Sequence, residues 1–111
     1  MIDGLIGGKL HGKPMERTSK SGNAYVTCIV RVATEADPLF VSVIAFDKAT
    51  CAALLALDAG DSVALSGTLT PKVYVPNSGG EARPALDMVA QAVLTAYHVT
   101  RKRKAVAESA A

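Results

Sequence analysis

Over residues 24–33 the run AYVTCIVRVA sorts itself by parity. Val26, Cys28, Val30 and Val32 fall on one face of an extended chain, and Tyr25, Thr27, Ile29 and Arg31 fall on the other. A strand with such a face needs more sheet to cover it, and the rest of the chain supplies that. Residues 39–46 repeat the pattern, with Val41, Val43 and Ala45 alternating against Phe40, Ser42, Ile44 and Phe46. Residues 62–75 do so again, with Val63, Leu65, Gly67 and Leu69 opposed to Thr68, Thr70, Lys72 and Tyr74. Pro71 in that third run requires a bulge or an edge position, because proline has no N–H to donate to a ladder.

The remaining segments follow from breakers and caps. Residues 4–13 alternate loosely around Gly7, Gly8 and Gly12, which predicts a first strand that bends or bulges sharply. Residues 14–23 are polar and contain Ser21-Gly22-Asn23, a turn signal. Asp47 stands where an N-cap would, before KATCAALLAL, and Asp58-Ala59-Gly60 ends that helix with a glycine beyond it. Residues 76–84 are too rich in Pro, Gly and polar groups to pack and are expected to form a mobile hairpin loop. Residues 85–99 are apolar enough for either helix or strand; Val89, Val93, Tyr97 and Val99 after a hairpin assign them to a strand. No internal repeat is present. Three strands, one helix and two more strands are the plan of the OB-fold, a five-stranded, partly open Greek-key barrel.

Composition agrees with that plan. Half of the 111 residues are apolar, only 5% are aromatic and none is Trp, so Val, Ile, Leu and Ala must build the core, which favours β-structure. One domain is expected over residues 1–100, followed by a frayed basic tail over 101–111. The net charge of +2 is concentrated there: residues 1–100 carry eight Lys and Arg against nine Asp and Glu, whereas the tail carries four against one. Charge alone therefore makes no case for nucleic acid, and only local clustering could. No signal peptide or membrane span is legible. Cys28 and Cys51 lie inside apolar segments without metal-site spacing and are expected to be free thiols of a cytoplasmic protein.

The ordered motifs resemble the bacterial single-stranded DNA-binding protein family over residues 4–99. In GKLHGKPMERTSKSG the family's spacing falls on Gly8, Lys9, Leu10, Pro14, Arg17 and Gly22. FVSVIAFDK resembles a family strand that opens on tryptophan, with Phe40 at that position and Phe46 at a phenylalanine. DAGDSVALSGTLTPKVY resembles the stretch that leaves the helix and ends on a second tryptophan, which puts Tyr74 there. The resemblance implies an OB-fold that coats single-stranded DNA with little sequence preference, in replication, recombination or repair near the nucleoid, as a homotetramer or homodimer. The chain departs from the family in three ways. The link between the second and third strands is too short for the family's finger-like loop, the folded part is not basic overall, and RKRKAVAESAA replaces the acidic tip that recruits repair enzymes. Such recruitment is therefore not expected. The same losses suit a second relative, the short dimeric primosomal replication protein, and with it a protein-interaction role.

A general strand binder needs exposed rings beside a positive track. The ring candidates are Phe40, Tyr74, Phe46 and Tyr25. For phosphates the candidates are Lys9, Lys13, Arg17, Lys20, Arg31, Lys72 and Arg83, in or beside the first strand, its following turn, the second strand and the long hairpin. Ordinary barrel packing or a solvated surface is the competing reading of each. Enzymatic activity is not expected, and neither is a metal or cofactor: His11 and His98 have no acidic or Cys partner at a known catalytic spacing, and no phosphate loop or nucleophile elbow occurs. A hydrolase using His98 and Asp87 is the remote alternative.

Overall fold

The alternation of residues 24–33 becomes the central wall of a barrel. In a computed structural model, which describes residues 1–77 and 79–95, the elements are β1 (Ile2–Leu10), β2 (Met15–Thr18), β3 (Ala24–Val32), β4 (Leu39–Ala45), α1 (Lys48–Leu55), β5 (Ser62–Tyr74) and β6 (Arg83–Thr95). They form one sheet in the order β1-β5-β6-β4-β3-β2, and a further β1–β3 pairing closes it. The expected OB-fold, with one helix between the third and fourth barrel strands, is the fold observed.

One element was not legible. Residues 15–18 lie in the segment read as a polar turn, yet they form β2 and pair with β3 from Met15↔Thr27 to Thr18↔Ala24. The other end of β3 pairs with β1 through Lys9↔Arg31 and Leu10↔Val30. β1 and β2 therefore share one edge of β3, interrupted at residues 11–14, so the barrel still has five positions although the sheet has six strands. The last strand ends at Thr95 among the described residues. Tyr97, Val99, His98 and the basic tail lie outside them.

Two glycines allow the closure. A Cβ on Gly8 would stand 2.3 Å from the Arg31 carbonyl oxygen, at the point where β1 leaves β5 for β3. A Cβ on Gly67 would stand 2.1 Å from the Val89 carbonyl oxygen. Gly67 sits at a register break, since Gly67 pairs with Ala90 and Ser66 with Ala92, which leaves Gln91 unpaired. The bulge reverses the parity of β6, so that Met88 and Ala90 point inward before it and Val93, opposite Leu65, after it. Pro71 lies beyond Leu69, the last β5 residue that β1 reaches, and so takes the expected edge position.

The core holds the residues assigned by parity: Val26, Cys28 and Val30 from β3, Val41, Val43 and Ala45 from β4, and Val63 and Leu65 from β5. α1 adds Leu54, which is completely buried, and its truncation to Ala should cost ~2–5 kcal/mol. The helix is held at its start. The Asp47 carboxylate accepts from the Thr50 backbone N–H at 3.0 Å as the expected N-cap. The buried Thr50 hydroxyl lies 3.1 Å from that carboxylate and 3.0 Å from the Gln91 carbonyl that the bulge sets free, so one proton serves both acceptors and ties the helix to β6. Among the described residues no helix is long and apolar enough to cross a membrane.

Gly8→Ala and Gly67→Ala should each destabilise the protein by ~3 kcal/mol, the upper end of overpacking costs, in thermal or urea unfolding. Gly7→Ala is the control, because its nearest new contact is 4.0 Å away; a loss equal to that of Gly8→Ala would refute the closure argument.

The backbone and side-chain hydrogen bonds from Thr50 hold the Asp47 carboxyl below its ordinary range. A depressed folded-state pKa adds stability above the unfolded value, and that share is lost as pH falls through the folded value. The midpoint of Asp47→Ala should therefore lie below wild type at neutral pH, and the gap should close as pH falls through the lowered folded-state value. A gap independent of pH would overturn this role.

Candidate nucleic-acid interface

Directly paired residues project to the same side of a sheet, so the register defines the outer surface. Thr27, Ile29 and Arg31 of β3 stand opposite Ile44, Ser42 and Phe40 of β4. Asp87 and Val89 of β6 lie beside Ser42 and Ile44, and Thr70 and Thr68 of β5 stand opposite them. On the other flank Met15 and Arg17 of β2 face Thr27 and Tyr25. Five strands thus contribute to one surface, and a groove of about 830 Å³ crosses it. Its floor is aliphatic: Met15 is 57% exposed, Ile29 and Val89 40% each, and Ile44 is half-buried. His11, Lys13 and Arg17 line the β2 flank, and Thr70 and Asp87 line the opposite one.

Rings stand beyond both ends of the floor, outside the groove lining. Tyr25 and Phe46 pair with centroids 6.1 Å apart, and Phe46 is well exposed. Six residues along the strands, or about 20 Å at 3.3 Å per residue, Phe40 occupies the other end beside Arg31. The His11 ring meets Phe40 edge-on, at 5.2 Å and 73°. None of the four rings is part of the groove lining itself: Tyr25 and Phe46 border a second hollow with Cys51 and Leu55 of α1, and Tyr74 is exposed opposite Arg83 near the tip of the β5–β6 hairpin. The loop at that tip contains Gly79 and Gly80, both at positive φ.

The cations also divide. Lys9 is opposite Arg31 in the ladder, and Arg17 donates from Nε to Thr27 Oγ1 at 3.1 Å, beside the Tyr25–Phe46 pair. Lys13 lies 3.7 Å from Asp58, but both are so exposed that the pair leaves Lys13 electrostatically available. Lys20 stands apart in the tight turn that Ser19 and Asn23 close. Lys72 is the exception. Its ammonium donates to Asp87 Oδ1 and, at 3.4 Å, to Ser42 Oγ, so its charge is matched within the surface.

Three features escaped the sequence reading. Met15 was hidden inside a segment that looks like a turn. Ile29 and Ile44 were visible as outward positions but passed over, because a search for rings and cations ignores aliphatic side chains, and the outward position of Val89 needed the β6 register. His11 was treated as a lone histidine, and only the pairing that brings residue 11 to β3, with His11 N–H donating to the Ile29 carbonyl, sets it on Phe40. Cys28 offers no nucleophile: burial pushes its thiol up to about 11, so it stays protonated under the floor. Cys51 is also a free thiol, and its Sγ donates to the Ala45 carbonyl at 3.1 Å. Among the described residues no three potential metal ligands come together.

No protein-family model matches the chain, and no curated protein matches it in sequence. Its structure is similar to that of the small single-stranded DNA-binding protein from Streptomyces coelicolor, with a TM-score of 0.67 at 24% identity, covering 85% of this chain and 93% of that one. The mitochondrial single-stranded DNA-binding protein Rim1 of S. cerevisiae gives a TM-score of 0.65 at 16% identity, covering 86% and 94%. The barrel described above is thus the fold of these proteins over nearly their whole length.

Proposed function

We propose that this protein is a non-catalytic binder of single-stranded DNA. The observation that carries the reading is the outer groove: an aliphatic floor with rings beyond both ends and cations along its flank. Bases would lie on the floor and stack on Phe40, Tyr25 and Phe46, and phosphates would meet Lys9, Lys13, Arg17 and Arg31. Tyr74, Arg83 and Lys20 would extend the path, and Lys72 would act through its pairing with Asp87. Such contacts tolerate most sequences, because every base has a π-face and the backbone carries no sequence information. A role in replication, recombination or repair inside the cell follows from that chemistry. The aliphatic floor also supports a second reading, a docking site for a partner protein, since exposed apolar patches mark protein contacts as well.

Fluorescence anisotropy with labelled oligo-dT of about 35 nucleotides at low salt tests the first reading. Binding is expected; none at tens of micromolar protein, with nuclease-resistant capture of a replication protein, would favour the second. Phe40→Leu and Phe46→Leu should weaken binding by ~1–3 kcal/mol, roughly 5- to 150-fold, with little change in salt slope. Arg17→Ala should instead flatten the slope of log affinity against log salt by ~0.7. A ring variant that loses only thermal stability and binds normally would remove that ring from the site.

We also propose self-association through β1. From Ile2 to Gly8 this strand pairs with β5 on one side, β3 takes only Lys9 and Leu10 on the other, and Ile2 and Leu5 are exposed. A free, uncharged strand edge over residues 4–8 is a template for pairing with a second copy. Light scattering at micromolar concentration should give a dimer or tetramer mass, and a monomer mass would refute the proposal.

A further inference from the structure

The groove proposed above to hold a polyanion carries a carboxylate on the flank away from β2. Asp87 lines it between Ser42 and Thr70, with half of its side chain exposed, and Lys72 approaches only one of its oxygens. No donor reaches Oδ2 among the described residues. A phosphate cannot settle beside that oxygen, and Asp87 borders the aliphatic floor of Ile29, Ile44 and Val89 on which a base would lie flat. The polar group within reach of Asp87 is then the edge of a base.

We infer that Asp87 reads base edges, favouring cytosine over thymine within an otherwise sequence-tolerant site; the inference rests on the single-strand reading above. Cytosine presents an N4 amino donor, which a carboxylate accepts. Thymine presents the O4 acceptor, and its N3–H is flanked by O4 and O2, so a fixed carboxylate meets two repelling oxygens. Lys72, which also donates to Ser42, holds Asp87 in place, which makes the discrimination a property of the folded surface rather than of a mobile side chain.

Oligo-dC and oligo-dT of equal length should be titrated by anisotropy against wild type, Asp87→Asn and Asp87→Ala. Wild type should favour oligo-dC by about 2- to 10-fold, the size of one net hydrogen bond. In both variants the ratio should fall towards one, because Asn can either accept or donate and Ala does neither. Any common change in affinity reports the lost negative charge and cancels in the ratio. Equal wild-type binding of the two oligonucleotides, a preference for oligo-dT, or a ratio unchanged by the substitutions would overturn the role of Asp87 while leaving single-strand binding intact. Failure of both oligonucleotides to bind wild type would instead overturn single-strand binding itself.

Discussion

Everything on the outer surface depends on two backbone contacts that leave no room for a side chain. Gly8 lies against the Arg31 carbonyl and Gly67 against that of Val89, and these approaches turn a twisted sheet into a closed barrel. Without the first, β1 could not pass from β5 to β3, and Lys9 would not stand beside Arg31. Without the second, the bulge would not release the Gln91 carbonyl for Thr50, and the helix would lose a polar tie to the wall it closes. Barrels remove sheet edges by closing, and closure concentrates the crowding at a few points where only glycine fits.

Closure also sets the electrostatics of the surface. The folded part is close to neutral, so no broad positive field covers it. Lys9, Arg17 and Arg31 are gathered on one flank by ladder pairing, while Lys72 on the other flank is matched by Asp87. The division follows from sheet order, because β5 and β6 bring residues 72 and 87 together across the hairpin and β4 adds Ser42 from the other side.

Long, regular alternation was readable because burial of one face forces a period of two. Val26, Cys28, Val30, Val41, Val43, Val63 and Leu65 were assigned inward by parity alone, and all are buried. The Asp47 cap was equally local, since a side chain three residues from its donor needs no tertiary context. β2 was illegible for the opposite reason: four exposed residues after a proline carry no burial signal, and only pairing with β3 makes them a strand. In β6 the bulge breaks the parity, so apolar residues crowd both faces and the segment reads as helix or strand until the register is known.

By itself the sequence determined the barrel plan, the inward faces, the capped helix and the rings and cations available for a site, because each follows from short-range periodicity or local hydrogen bonding. Tertiary structure alone decided which of these meet. Arg17 joins Tyr25 and Phe46, His11 seats on Phe40, Lys72 is matched by Asp87, and Tyr74 moves out along the hairpin. The physical reason is that strand order and register connect residues ten to thirty positions apart, and no local pattern encodes which edge a strand will choose.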